Sequence, residues 1–228
     1  MTDSLKAASP LALSTTPSTQ YPPASWSAVV AIGVGAFTLV TAEFLPVGLL
    51  PQIAQDLAVS EGQAGLMVTA PGIVAAGAAL LTISVGKRIQ RQHALLVLLS
   101  LLVISNALVA CANSLGVLLV ARMLLGVAVG GFWTIGVSLG PRLRPDAIAR
   151  ATSVIFCGVT VGTVAGVPAG TFLGGLLGWR LAFAAFAALV VLVVVALVVL
   201  LPRISPEKSL GFAQVPVVMR MNTVRAGL

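Results

Sequence analysis

The chain has 228 residues, of which 58% are hydrophobic and only 8% are charged. A soluble domain carries about 25% charged residues, so this composition excludes an ordinary soluble protein and predicts a chain embedded in lipid. The net charge of +7 does not indicate nucleic acid as a partner, because the basic residues follow the connections between apolar segments.

A tail at residues 1–25, rich in Ser, Thr, Pro and Ala, is predicted to be disordered and cytoplasmic. Six apolar segments then follow, each near the roughly 20 residues that a helix needs to cross a bilayer. They are placed at residues 27–50, 64–85, 94–112, 116–138, 151–177 and 180–201. Residues 26–201 are therefore predicted to form an all-α bundle of six transmembrane helices. Residues 202–228 are predicted to be a cytoplasmic linker, truncated before a seventh span.

The basic residues predict the topology of these spans. Eleven of the thirteen Lys and Arg residues lie in the N-terminal tail, the second and fourth connections and the C-terminal segment, which would all face one side. Loops on the cytoplasmic side carry the excess of Lys and Arg. Both termini are therefore predicted to be cytoplasmic, as an even number of spans also requires.

Glu43 is the only carboxylic acid within a predicted span, and Arg122 is the only base there, since Arg180 belongs to the turn that starts the sixth span. An ionisable group at the centre of a membrane helix costs about 2.5–3.5 kcal/mol, so Glu43 must be neutral, paired or in a wet cavity. A carboxyl group that takes up and releases a proton would suit proton coupling, and a structural partnership with Arg122 is the alternative. Arg122 stays charged; it could pair with Glu43, bind an anionic group, influence Glu43, or reach the interface at the end of its helix.

Pro46, Phe132 and Trp133 are candidates for a substrate cavity. Pro46 removes a helical hydrogen bond close to Glu43, and broken membrane helices often line substrate sites. A kink that faces lipid is the alternative. Trp133 could stack on a flat substrate or fill space inside the bundle.

The fifth predicted span carries a glycine every four residues. The row comprises Gly158, Gly162, Gly166, Gly170, Gly174 and Gly178, and Pro168 interrupts it. Small residues let membrane helices approach closely, although a four-residue repeat drifts about 40° per step around a helix with 3.6 residues per turn. The row predicts a close helix contact, which is either static or able to slide during transport.

No cofactor or metal site is predicted, since Cys111, Cys157 and His93 have no ligand-like spacing. The run Gly136–Gly140 matches the G-x-S-x-G pattern of serine hydrolases through Ser138. That pattern needs a strand–turn–helix and a catalytic histidine, and here it ends a membrane span. An enzyme is therefore not predicted.

The run from Glu43 to Pro51, with Asp56 after it, resembles the first span and loop of bacterial drug, sugar and nucleoside exporters of the major facilitator superfamily. Arg122 with Gly126 and Gly130 resembles the arginine motif of the family's fourth span, which is linked to proton transfer. The stretch from Gly158 to Gly170, with Pro168, resembles the antiporter motif of its fifth span.

The resemblance covers residues 26–228 and implies the N-terminal half of a major facilitator fold. The implied activity is efflux of a small molecule in exchange for protons, across a bacterial inner membrane. The implied partners are the lipid bilayer, protons and a small-molecule substrate. Residues 26–29, 130–133 and 153–156 are most similar to purine ribonucleoside exporters, followed by arabinose-type sugar exporters.

The chain departs from the family in two respects. The cytoplasmic loop motif retains basic residues at Arg88 and Arg91, but Lys87 stands at its acidic position and Gln90 at its glycine, which weakens the expectation of an acid–base latch. Family members also have twelve spans in two similar halves. Two hypotheses follow: the chain pairs with itself or with a second half and exports, or it is a truncated half without transport activity.

Overall fold

The computed structural model describes residues 25–85 and 90–200. Almost all of the predicted tail at 1–25 and the whole predicted linker at 202–228 lie outside the described residues. Within the described part the protein is an all-α bundle of six helical spans that are long and apolar enough to cross a membrane, as predicted. The spans are Trp26–Asp56, Glu61–Val85, Arg91–Ala110, Leu115–Leu143, Ile148–Leu177 and Trp179–Leu200.

Several helices extend beyond the apolar segments that predicted them. The fourth helix continues to Leu143, although its apolar segment was placed at 116–138. The apolar run marks only the part of a helix that faces lipid. The polar residues at the helix ends, including the cap where a helix begins, lie outside that run. The Ser25 side chain accepts a hydrogen bond from the Ala28 N–H at 3.3 Å and so caps the first helix.

The first span is a broken helix. An α-helix at Trp26–Phe44 passes into a 3₁₀ segment at Leu45–Leu49, and a second α-helix runs from Leu50 to Asp56. Pro46 lies in the 3₁₀ segment. Because proline has no N–H and its ring obstructs the preceding turn, the α-helical hydrogen-bond pattern cannot continue through it.

The first span is also the centre of the bundle. Its most apolar window is 72% buried, against 22% for the second and for the fifth span. The first span packs mainly on the fifth, the fourth packs on the second and third, and the third packs on the sixth. The core therefore lies around the first and fourth spans, and these two carry Glu43 and Arg122.

The glycine row of the fifth span lies along the first span. A Cβ added at Gly162 would lie 2.8 Å from the Phe37 carbonyl oxygen, and one at Gly158 would overlap the Gly33 carbonyl. Gly166, Gly170 and Gly174 continue this contact, against Phe44, Leu45 and Leu49. A row that drifts around its own helix stays on one partner when the two helices cross at an angle.

Glycines of the fourth span make the second close contact. A Cβ at Gly126 would lie 2.5 Å from the Pro71 carbonyl oxygen, and one at Gly130 would overlap the Ala75 carbonyl, both in the second span. This approach of two backbones brings the fourth span near enough for Arg122 to reach the second span.

Polar contacts gather at both ends of the bundle. At one end the Arg144 guanidinium lies 4.5 Å from the centre of the Trp26 ring, and its hydrogen bonds to the Asp146 carboxylate hold the pKa of Asp146 below its usual value. At the other end Arg180 contacts the Asp56 carboxylate. The described connections thus alternate between two ends, as the topology prediction requires.

Candidate functional site

Arg122 lies in the fourth span, where its side chain is 1% exposed. All the hydrogen bonds described for it are donated to backbone carbonyl oxygens of neighbouring spans. Nε donates to Met67 at 2.8 Å, Nη1 to Ala42 at 2.9 Å and Nη2 to Glu43 at 3.1 Å. One guanidinium therefore joins the fourth span to the first and to the second.

Two prolines explain why these carbonyls are available. In an α-helix the carbonyl of residue i accepts the N–H of residue i+4, and proline has no N–H. Pro46 follows Ala42 by four residues and Pro71 follows Met67 by four residues. Both carbonyls have therefore lost their partner within their own helix, and Arg122 supplies the missing donor to each.

The energetic need for such a donor is large inside a membrane. A buried polar group without a hydrogen-bond partner costs about 1–3 kcal/mol, and water is absent from the bilayer core. The planar guanidinium carries five N–H donors in a fixed fork, which suits several carbonyls at once. Arg122 is thus a structural link between three spans, whatever further role it has.

Glu43 is the second-to-last residue of its helix, beside this link, and its side chain is half-buried. The sequence left open an ion pair between its carboxylate and Arg122. The structure gives a different contact, because Arg122 reaches the backbone carbonyl of Glu43. Within residues 25–85 and 90–200 no ion pair involves the Glu43 carboxylate. The carboxyl group therefore lies near a fixed positive charge without being bound to it.

The three cavity candidates lie in different environments. Pro46 is buried, and Phe132 is 1% exposed and packs beside Gly35. Trp133 keeps some exposed surface, and its ring centre lies 6.1 Å from that of Phe156 at a tilt of 42°. Of the three candidates, Trp133 alone is only partly buried.

The cytoplasmic loop motif is described only in part, since Lys87 and Arg88 lie outside the described residues. Arg91 begins the third helix and donates a hydrogen bond to the Ser138 hydroxyl. The Ser138 hydroxyl in turn donates to the Ile135 carbonyl at 2.6 Å. Ser138 is thus engaged in joining the third and fourth spans.

The fifth helix continues without interruption through Pro168, from Ile148 to Leu177. Pro168 lies on its exposed side, while Gly158, Gly162, Gly166 and Gly170 face the first span. In the part of the chain that the structure describes, no three His, Cys, Asp or Glu side chains gather to hold a metal ion.

The family model of the Major Facilitator Superfamily matches residues 32–219. The chain belongs to the major facilitator superfamily. Its membrane bundle is accordingly one half of a major facilitator fold, and the superfamily is one of transport proteins rather than enzymes.

Curated relatives include proteins named purine ribonucleoside efflux pump NepI. The Salmonella paratyphi A protein is 43% identical over 160 residues, the Escherichia coli O6:K15:H31 protein 44% and the Salmonella typhimurium protein 42% over the same length. The matched region is 70% of this chain but only 40% of each relative. The chain thus matches less than half the length of these curated relatives.

Proposed function

We propose that this chain is the N-terminal half of a proton-coupled exporter of small molecules in a bacterial inner membrane, with both termini in the cytoplasm. Purine ribonucleosides are the favoured substrate class, because relatives with 42–44% identity carry that name. Protons entering from the periplasm would drive the solute outward.

The observation that carries the proton-coupling proposal is the separation between the Glu43 carboxylate and Arg122. An acid locked in an ion pair would hold one protonation state, whereas an acid beside a fixed charge can gain and lose a proton as its surroundings change. Arg122 is engaged with three carbonyls, so it supplies a positive field that does not move. Glu43 is the proton carrier in this proposal, and the charge of Arg122 influences how readily Glu43 gains and loses its proton.

The broken first span gives the acid a place where its surroundings can change. Glu43 lies two residues before the start of the 3₁₀ segment Leu45–Leu49. The glycine row allows the fifth span to shift along the first span with little steric resistance from side chains. Trp133, which is only partly buried and lies near Phe156, is proposed to contact the flat part of the substrate.

The test is export by the purified protein in liposomes, with and without a proton gradient. Efflux of inosine, a purine ribonucleoside, is compared with efflux of uridine and arabinose. Glu43→Gln is expected to lower gradient-driven inosine efflux at least about tenfold, because an amide cannot carry the proton. Glu61→Gln, which removes an exposed acid at the start of the second span, is the matched control and is expected to retain efflux.

Equal gradient-driven efflux by Glu43→Gln and the unaltered protein would remove Glu43 from the mechanism. Because Glu43 is in no described ion pair, Glu43→Gln is also expected to change the free energy of unfolding by less than about 1 kcal/mol. A larger loss would indicate that the residue acts mainly as a structural partner.

A second candidate is a half that folds but does not transport by itself. Two observations favour it: the match covers only 40% of the relatives' length, and only 22% of the most apolar window is buried in the second span and in the fifth. Efflux is therefore also measured after co-reconstitution with the C-terminal half of the Escherichia coli relative. Efflux by the isolated chain would reject this candidate, and efflux only in the mixture would support it.

A further inference from the structure

A cavity of about 430 Å³ lies at the end of the bundle where the first span terminates. It is lined by Gln52, Gln55 and Asp56 and by the turn at 177–180 between the fifth and sixth spans. Its size is within the range of small-molecule sites in proteins, about 300–1,000 Å³. It is remote along the first span from Trp26 and Arg144, which mark the opposite end.

Three polar side chains of the cavity share one face of a helix. Gln52, Gln55 and Asp56 stand at positions i, i+3 and i+4 in the helix Leu50–Asp56, and residues with this spacing are neighbours on a helix surface. The turn at 177–180 faces them and contributes Arg180. A single face of the first span therefore brings two amides and one carboxylate together.

The carboxylate is fixed by its neighbours on one oxygen only. Asp56 Oδ2 accepts a hydrogen bond from Trp179 Nε1 at 3.2 Å and another from Arg180, and Arg180 also donates to the Ala112 carbonyl at 3.1 Å. In the described segments Asp56 Oδ1 has no hydrogen-bond partner. The side-chain amides of Gln52 and Gln55 have none there either, so an acceptor and two mixed donor–acceptor groups line the cavity.

The chemistry of this lining favours a neutral ligand with adjacent hydroxyl groups. The charges of Asp56 and Arg180 cancel, so the cavity has no excess charge to attract an ion. Each hydroxyl both donates and accepts, which matches a fixed carboxylate oxygen beside two amides. Trp179 is 4% exposed and the Arg180 guanidinium lies 4.2 Å from its ring centre, so no open aromatic face is present to stack a base.

We infer that this cavity binds the vicinal hydroxyls of a ribose-type sugar, as a site through which the solute passes at the outer mouth of the protein. The outward position of the site rests on the proposed export function. Binding itself does not, since it depends only on the lining residues. Sugar binding at the cavity and its place in the export path can therefore be tested separately.

The experiment measures binding of D-ribose and 2-deoxy-D-ribose to the purified protein in lipid nanodiscs by saturation-transfer NMR. D-ribose is expected to bind about fivefold more tightly, because the 2-hydroxyl adds one net hydrogen bond. Gln55→Ala is expected to weaken D-ribose binding by a similar factor. Gln55 is exposed and makes no described hydrogen bond, so the variant is expected to fold normally; Glu61→Gln is the control.

Equal binding of the two sugars, no saturable D-ribose binding, or unchanged binding in both Gln55→Ala and Gln52→Ala would overturn the inference. Loss of D-ribose binding in Gln55→Ala, with retention in Glu61→Gln, would support it even if efflux proved independent of the proton gradient.

Discussion

Arg122 and Arg180 both join three parts of the bundle, but they do so in opposite surroundings. Arg122 is 1% exposed and donates to three backbone carbonyls. The Arg180 side chain is 38% exposed and donates to the Asp56 carboxylate and to one carbonyl. Arg122 is enclosed by helices, whereas Arg180 lies at the end of the bundle, where water can take its place beside Asp56.

The contribution of a buried arginine to stability therefore depends mainly on whether its acceptors could find another hydrogen-bond donor, and less on how many contacts it makes. The carbonyls of Ala42 and Met67 have lost their helical donors to Pro46 and Pro71, and the bilayer core offers no water. The Asp56 side chain is 44% exposed at a helix end, where water can hydrate it. Only the carbonyl of Ala112, a buried residue, would lose its donor. Removing Arg122 should therefore cost far more than removing Arg180.

The largest effect is expected for Arg122→Met, which keeps much of the side-chain volume and removes every donor. Three carbonyls would lose a partner, at about 1–3 kcal/mol each, so the free energy of unfolding should fall by about 3 kcal/mol or more. Denaturant unfolding in detergent micelles measures it. A loss below about 1 kcal/mol would show that the carbonyls find other donors.

Gly158→Ala tests whether close packing of the first span is of comparable importance. The added methyl group would overlap the Gly33 carbonyl, so unfolding free energy should fall by about 1–3 kcal/mol. Gly72→Ala is the matched control, because nothing lies within 4 Å of its added Cβ. Alanine has the higher helix propensity, so this control should be neutral or slightly stabilising.

The smallest effect is expected for Arg180→Met. Exposed ion pairs contribute roughly 0–1 kcal/mol, and Asp56 would be hydrated after the change. Unfolding free energy should fall by about 1 kcal/mol in the same micelle assay, mainly because the buried Ala112 carbonyl loses its donor. A loss of unfolding free energy equal to that of Arg122→Met would contradict the difference inferred between the two arginines.

The six spans could be predicted because apolar length is a direct requirement of the bilayer. The helix ends were harder to predict. The first span continues to Asp56, beyond the predicted limit at residue 50, because its polar last turn lies outside the apolar segment. The close contacts of the fourth- and fifth-span glycines follow from their spacing, but the partner helix does not.

Sequence reasoning identified Arg122 but did not find the partners that the structure gives it. It considered the Glu43 carboxylate, an anionic group and the membrane interface, because these are side-chain or solvent partners for a charge. The backbone carbonyls were missed. The sequence did contain a signal, because Pro46 and Pro71 each leave the carbonyl four residues earlier without its helical N–H donor. Only the fold shows that both carbonyls contact one arginine.

The most direct test of this account is a double-mutant cycle between Arg122→Met and Pro71→Ala. Alanine at position 71 restores an N–H that can bond the Met67 carbonyl within its own helix, so that carbonyl no longer needs Arg122. If Arg122 supplies the missing donor to Met67, Arg122→Met costs at least about 1 kcal/mol less unfolding free energy in the Pro71→Ala background than in the unaltered protein. Equal costs in the two backgrounds would contradict it.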